Sequence, residues 1–177
     1  GLEEHATASV IVDHLAPMLR AQGHDVTVID YPYMDNGGDL AATVRAINAG
    51  NYDISISVHC DSSDSPSSRG AHVCHHRTYH DDGTCTDSVQ GKDLAEAIAG
   101  PLCKLLPGRA DHVQARPDRS CTPPKSSLYV LRKTNPPAVL VECGFISNAG
   151  DTDLMKNNPA AIARAIAWGV NTYTQRK

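Results

Sequence analysis

Aromatic residues are scarce in this chain, which has one tryptophan and one phenylalanine among 177 residues and an aromatic content of 5%. The hydrophobic core must therefore be built mainly from alanine, valine, isoleucine and leucine. No apolar run approaches the roughly 18 to 20 residues that a bilayer-spanning helix needs, so membrane insertion is not expected. No signal peptide opens the chain.

The composition and charge are typical of a globular protein that lacks a broad nucleic-acid-binding surface. A content of 41% hydrophobic and 20% charged residues excludes a disordered polymer. The net charge of −4 argues against broad binding to nucleic acid. At about 150 residues per domain, the length predicts one domain over residues 1–177, large enough to bury a core of its own.

The six cysteines form no C-x-x-C pair, which excludes a zinc-ribbon site. An even number permits disulfides in an exported protein, and the sequence alone does not choose among the pairings. Because no export signal is present, we expect mostly reduced thiols.

Apolar periodicity and turn residues predict an alternation of helices and strands. Helices are expected over residues 2–22, kinked at Pro17 and ended by Gly23, over 39–48 with Asp39 as the N-cap, and over 90–106 and 159–173. Strands are expected over residues 26–29, 53–59, 71–76, 128–131 and 138–141, and loops over 61–70, 80–89 and 109–127. Because parallel strands need helical crossovers, this order predicts a single α/β domain with a mostly parallel, twisted sheet flanked by helices.

Polar residues stand where two predicted strands end, at the edge of the sheet where α/β proteins bind their ligands. His59 ends one strand and Glu142 follows another. Glu4 extends the apolar stripe of the first helix into its first turn, whereas Glu3 points about 100° away. Such a set suits a zinc hydrolase, in which N and O ligands hold the metal and an unligated Glu removes a proton from water. The alternative is structural: a hydrogen-bonded histidine at a strand end, and a glutamate that favours the helix dipole.

Three segments of the chain bear on the choice between a zinc site and a structural role for these residues. They are GLEE at residues 1–4, SVHCD at residues 57–61 and VLVECGFISN at residues 139–148. They resemble the G-L-x-E helix start, the S-I-H-x-N/D strand end and the L-V-E-x-G-F-I-S-N signature of zinc-dependent N-acetylmuramoyl-L-alanine amidases of the Amidase_3 type, the last almost letter for letter. The family's R-x-x-N helix is similar at Arg45 and Asn48, and its R-G pair at Arg69 and Gly70.

The resemblance implies a role for each matching residue. Glu4 and His59 correspond to two of three Zn²⁺ ligands, and Glu142 to the general base and acid. The family's substrate is peptidoglycan, and the bond cleaved is the amide that joins N-acetylmuramic acid to L-alanine of the stem peptide. Glu142 would take a proton from a zinc-activated water and return it to the leaving amine.

Substrate contacts and location follow from the same resemblance. The basic 109–127 loop is expected to meet stem-peptide carboxylates through Arg116 and Arg119, or else to be an ordinary solvated loop, and Asn148 is a third expected substrate contact. The protein is expected to act at the bacterial cell wall, as the catalytic domain of a phage endolysin released through a holin or of a secreted autolysin.

One departure from the family concerns the strand that ends in a G-H-G/S segment and carries the third zinc ligand. It would stand immediately before Gly1, so we expect an upstream segment that supplies both the first strand and that ligand. If the zinc site is instead incomplete, the chain would be a peptidoglycan-binding or inactive remnant module.

The cysteines and histidines also allow two other hypotheses, a cysteine amidase and a second metal site. A cysteine amidase would need Cys60 beside His59, but strand alternation turns neighbouring side chains to opposite faces. A second metal site could use the group at His72, Cys74, His75, His76 and His80, where the family has no metal. Trp168 is expected in the core rather than as a platform for sugar stacking.

Overall fold

The computed structural model describes residues 2–30 and 36–176. In chain order, the described elements are α1 (Glu4–Ala21), α2 (Asn36–Ala49), β1 (Ser55–Asp61), β2 (His72–His75), β3 (Arg77–Tyr79), β4 (Cys85–Asp87), α3 (Val89–Leu105), β5 (Val113–Gln114), β6 (Pro117–Asp118), β7 (Lys125–Ser126), α4 (Tyr129–Lys133), β8 (Ala138–Phe145), α5 (Ala149–Asn157) and α6 (Pro159–Thr174). No helix in these ranges combines the length and the apolar character that crossing a membrane requires.

The central sheet has the strand order β1-β8-β2-β5. The β1–β8 and β2–β5 pairs are parallel, whereas β8 and β2 run antiparallel. The predicted α/β fold with flanking helices is confirmed, and the antiparallel pair makes the sheet mixed.

Helices cover both faces of this sheet. Every residue of β8 is buried, as expected for a strand with helices on both sides. Val139 and Val141 pack among residues of α1, α3 and α6, whereas Ala138 and Leu140 pack among residues of α2 and α4. The core is mainly aliphatic, as the composition predicted; the largest fully buried side chains on the first face include Ile11, Leu94, Ile98, Ile162 and Ile166.

The predicted long helices are confirmed with small changes in their ends. α1 continues through Pro17, and Gly23 follows its end with a φ of +91°. α2 begins at Asn36, so Asp39 lies in its first turn rather than at its N-cap, where its charge still favours the helix dipole.

Two predicted strands are wrong. Residues 26–29 form no strand, because no described strand completes a hydrogen-bond ladder with them; Val28 is 50% exposed. Residues 128–131 belong largely to α4, which buries the adjacent Val130 and Leu131 against the α2 face of the core. A run of four apolar residues does not by itself distinguish a strand from a short helix.

Regular structure also occurs where loops were expected. β3 and β4 pair antiparallel across the predicted 80–89 loop. β6 and β7 pair antiparallel within the predicted 109–127 loop, which also contains β5. α5 was not predicted at all, although Asn148 caps it by accepting hydrogen bonds from Gly150 N and Asp151 N.

Trp168 does not lie in the core, contrary to the prediction, and is 67% exposed on α6. The buried face of α6 includes Ile162, Ile166 and Val170. Trp168 comes two residues after Ile166, about 200° around the helix, and therefore faces solvent.

The α3–α6 contact generates a stability prediction. A Cβ added at Gly169 would clash with the Cα of Ile98 and lie 2.7 Å from Ala97 O. We expect Gly169→Ala to lower the free energy of unfolding by about 1 to 3 kcal/mol through overpacking, measured by urea denaturation. The matched control is Gly100→Ala on α3, where nothing lies within 4 Å and the change should be neutral or stabilising by up to about 1 kcal/mol. Equal stability of the two variants would contradict this packing.

Candidate active site

Parallel pairing of β1 with β8 determines the position of the site. His59 on β1 is in register with Glu142 on β8. On the other side of β8, the same Glu142 is in register with His72 on β2. Since α1 packs against β1, its first residue, Glu4, reaches the same edge. The structure thus brings together the three residues that the sequence analysis singled out.

Glu4 and His59 form a directly hydrogen-bonded pair. Glu4 Oε1 lies 2.8 Å from His59 Nδ1, and the Glu4 carboxylate also accepts a hydrogen bond from the backbone N–H of Cys60. The hydrogen bond with His59 holds the pKa of Glu4 below its ordinary value. Both side chains are partly exposed, at 50% for Glu4 and 38% for His59. The pair is therefore directly hydrogen-bonded and open to solvent.

A second hydrogen bond, to Ser57, also restrains the orientation of the His59 ring. Ser57, two residues earlier on the same face of β1, places its Oγ 2.9 Å from His59 Nε2. When Nε2 carries the ring proton, it donates to Ser57 and leaves a lone pair on Nδ1, beside the Glu4 carboxylate. This is the form in which imidazole binds a metal, with its second nitrogen held by a hydrogen bond.

Glu142 lies deeper than this pair, with only 6% of its surface exposed. Burial, reinforced by the Asp61 carboxylate, raises the pKa of Glu142 to about 7, while the positive charge of Arg116 acts in the opposite direction. The Oε2 atom of Glu142 is buried and has no hydrogen-bond partner among the described residues. A carboxyl group with this pKa can both accept and donate a proton near neutral pH.

Three residues surround the guanidinium group of Arg116. Its Nη2 lies 2.7 Å from His72 Nε2, 3.2 Å from Asp61 Oδ2 and 3.5 Å from Glu142 Oε1. Burial and the charges of Arg109 and Arg116 lower the pKa of His72 to about 4. His72 is therefore neutral near pH 7, and its Nε2 accepts the hydrogen bond from Arg116.

Asp61, His72 and Glu142 also form the one group of three potential metal ligands found in residues 2–30 and 36–176, with ligand atoms within 4.8 Å of one another. The Arg116 guanidinium already lies against all three. A metal at this point would have to displace that cation. Glu4 and His59 are therefore the better candidates for metal ligands.

The end of β8 depends on a glycine and a buried carboxylate. Between the His59–Glu142 and Asp61–Phe145 pairs, β8 advances one residue more than β1, which is a β-bulge. Gly144 lies in it with a φ of +100°, and a Cβ there would lie 2.9 Å from Asp151 Oδ2. The same Oδ2 accepts hydrogen bonds from Phe145 N and Gly70 N. This arrangement anchors the strand that carries Glu142.

The expected substrate contacts have different surroundings. Arg116 faces inward as described, whereas Arg119 is exposed on the same loop. Asn148 caps α5 through its Oδ1 and donates from Nδ2 to Pro66 O at 2.7 Å. Its amide thus links α5 to the loop before β2, and a substrate contact by Asn148 stays a prediction.

The two cysteines next to proposed site residues, Cys60 and Cys143, point away from this site. Both lie in the core cluster on the opposite face of the sheet, as strand alternation predicted for Cys60 and as it requires for Cys143, the neighbour of Glu142. All six cysteines are free. Burial raises the pKa of Cys60 to about 12 and raises that of Cys143 well above its ordinary range. Neither thiol is suited to act as a nucleophile.

The histidine-rich segment does not form a second metal cluster within the described residues. Cys74 packs in the core beneath α2 and α4, His75 Nδ1 bonds to the backbone O of His76, and His80 Nε2 lies near Thr86 Oγ1. His72 alone turns toward the site. Sequence reasoning missed its pairing with Arg116, although both residues had been singled out for other roles.

The chain is similar to known proteins over almost its whole length. The family described as N-acetylmuramoyl-L-alanine amidase (Amidase_3) matches residues 1–172. N-acetylmuramoyl-L-alanine amidase LytC of Bacillus subtilis (strain 168) is 32% identical over 136 residues, which are 76% of this chain and 24% of that protein. The chain therefore spans about a quarter of the length of this curated relative.

Solved structures agree in fold. The catalytic domain of CD27L endolysin targeting Clostridia Difficile superposes with a TM-score of 0.75 at 26% identity, covering 96% of this chain and 83% of that one. The amidase Ami1 from Mycobacterium smegmatis reaches a TM-score of 0.79 at 21% identity, covering 100% and 79%; at this identity the likeness concerns the fold alone.

Burial of Glu142 predicts a pH-dependent contribution to stability. The pKa of Glu142 in the folded chain, about 7, exceeds the value of about 4.3 for an unfolded glutamate. The contribution of Glu142 to the free energy of unfolding is therefore least unfavourable below about pH 4. It becomes more unfavourable as the pH rises from there to about 7. In chelator-treated protein, the free energy of unfolding of Glu142→Gln relative to wild type should increase by about 2 kcal/mol from pH 5 to pH 8. This difference is measured by urea unfolding at the two pH values. A difference that is equal at both pH values would contradict this burial.

Proposed function

Because the chain belongs to the N-acetylmuramoyl-L-alanine amidase (Amidase_3) family, we propose that it hydrolyses the amide between N-acetylmuramic acid and L-alanine in peptidoglycan. The observation that carries this proposal is a buried glutamate, Glu142, whose pKa is about 7 and which lies in register with His59 beside Glu4. One titrating carboxyl group beside a solvent-open carboxylate–imidazole pair suits a metal hydrolase.

Zn²⁺ is the cofactor in this proposal, with Glu4 and His59 as its ligands from this chain. The donor set fits, since zinc in proteins takes imidazole nitrogen and carboxylate oxygen, and these atoms lie 2.8 Å apart on a solvent-open surface. When bound, zinc would supply Lewis acidity toward the scissile carbonyl and toward water. Ser57 would hold the His59 ring in the ligating orientation.

Glu142 is the proposed general base and acid. With a pKa near 7, it is partly ionised at neutral pH and can take a proton from the attacking water. In the second half of the reaction, the protonated Glu142 would return this proton to the nitrogen of L-alanine, which makes the amine a competent leaving group. Oε2 is the atom proposed to carry the proton, because Oε1 lies against Arg116.

The substrate would approach from the exposed side of the Glu4–His59 pair. We propose that Arg119, which is exposed on the β6–β7 loop, meets carboxylates of the stem peptide. Asn148, whose Nδ2 donates to Pro66 O in the loop before β2, is the second proposed substrate contact. The proposed place of action is the bacterial cell wall, which fits an endolysin as well as a secreted amidase.

The catalytic role of Glu142 predicts a loss of turnover without a loss of metal. In a muropeptide-release assay on the full chain, Glu142→Gln should lower the rate by about 100- to 10,000-fold, while zinc content by elemental analysis stays that of wild type. The matched control is Glu96→Gln, a glutamate exposed on α3, which should release muropeptides at the wild-type rate.

A wild-type chain that folds but neither binds zinc nor releases muropeptides would contradict the proposal. It would leave the alternative of a peptidoglycan-binding or inactive remnant module. Normal release by Glu142→Gln would remove Glu142 from the mechanism.

The metal role of His59 predicts a graded effect of two substitutions on zinc affinity. His59→Ala removes a proposed ligand and should abolish stoichiometric zinc binding. Ser57→Ala removes only the hydrogen bond to Nε2 and should weaken affinity by about 10- to 100-fold, measured by competition with a chelating dye. Wild-type affinity in His59→Ala would show that zinc is held elsewhere.

A further inference from the structure

Arg116 makes contacts that a substrate-binding surface arginine would not make. Its Nη2 lies within 3.5 Å of an acceptor on each of three strands: Asp61 on β1, His72 on β2 and Glu142 on β8. Its side chain is only 32% exposed. The Nη2 end of the guanidinium is therefore directed into the sheet edge, toward the proposed base.

The backbone of Arg116 is held as firmly as its side chain. The carbonyl oxygen of Arg116 accepts hydrogen bonds from Ser127 N at 2.9 Å and from Ser127 Oγ at 3.0 Å. These bonds extend the β6–β7 pair, in which Pro117 is in register with Ser126. Arg132 Nη1 donates in turn to Ser126 O at 2.6 Å. The loop predicted over residues 109–127 thus contains a small two-stranded ribbon that presents Arg116 to the site.

The two other partners orient the guanidinium. His72 is fully buried and presents Nε2 as an acceptor at 2.7 Å, and Asp61 accepts at 3.2 Å. These two acceptors, on different strands, hold Nη2 in place, and Nη2 meets Glu142 through Oε1 rather than Oε2. A charged donor at one carboxylate oxygen restrains the rotation of the other.

We propose that Arg116, held by Asp61 and His72, is a positioning residue that fixes the carboxylate of Glu142 by Oε1 and so presents Oε2 to the reacting water. This inference rests on the proposed amidase function. It assigns Arg116 to the orientation of the base rather than to the binding of stem-peptide carboxylates.

The two roles differ in the kinetic constant that they affect. With soluble muropeptide as substrate, Arg116→Ala should lower kcat by roughly 10- to 100-fold with KM within about twofold of wild type, since misplacement of a catalytic group lowers the rate of the chemical step. Millimolar guanidinium chloride should restore part of kcat in Arg116→Ala. The control Arg164→Ala, at an exposed position on α6, should keep wild-type constants and show no gain with guanidinium.

A rise in KM with kcat unchanged in Arg116→Ala would overturn the proposal and make Arg116 a substrate contact. Wild-type kcat and KM in this variant would overturn it as well. If the wild-type chain itself is inactive, the proposed function fails first, and this result is distinct from either kinetic outcome in an active wild type.

A second measurement does not depend on activity. In a double-mutant cycle on urea unfolding, Arg116→Ala and Glu142→Gln should be coupled by roughly fivefold or more in the unfolding equilibrium constant, because the two side chains are in contact. The control pair Arg164→Ala and Glu142→Gln should be additive. Additivity of Arg116→Ala with Glu142→Gln would show that Arg116 does not hold Glu142 and would overturn the proposal.

Discussion

Parallel pairing of β1 with β8 in one register is the constraint on which the rest of the site depends. It places His59 beside Glu142, and the antiparallel β2 then places His72 on the other side of Glu142. A register slip of one residue would turn these side chains to the opposite face and into the aliphatic core. The bulge at Gly144 and the hydrogen bonds to Asp151 secure the strand immediately after Glu142. The polar site thus exists because the backbone ladder and the buried valines of β8 determine its register.

Burial of Glu142 is costly for the fold and useful for chemistry. A carboxylate removed from water loses hydration, which raises its pKa to about 7. The cation of Arg116 offsets part of this cost, and the neutral ring of His72 lets that cation lie beside it without a second positive charge. The more exposed Glu4–His59 pair shows the opposite behaviour, since its hydrogen bond lowers the pKa of Glu4. Two carboxyl groups at one sheet edge therefore differ in pKa, and this difference suits the separate roles proposed for them, metal ligation for Glu4 and proton transfer for Glu142.

Much of this arrangement could be predicted from the sequence, and the physical reason is that it is encoded locally. Glu4, His59 and Glu142 lie in short motifs at element ends, so their convergence followed from the α/β pattern. Arg116 faces inward because of partners on three separate strands, and no local pattern reports such a contact. Residues 128–131 became a helix because packing against α2 decides between two conformations that a short apolar run allows equally. The zinc ligands and the substrate contacts stay predictions, since they depend on groups outside the chain.

The central claim is the identity of the bond that is cleaved. Purified peptidoglycan should be digested with the zinc-supplemented chain, and the products identified by mass spectrometry and by labelling of new amino and reducing ends. The account predicts stem peptides with a free L-alanine amino terminus, glycan strands with free lactyl carboxylates, and no new reducing ends. New reducing ends, cleavage within the stem peptide, or intact peptidoglycan after incubation with the folded, zinc-loaded chain would contradict it.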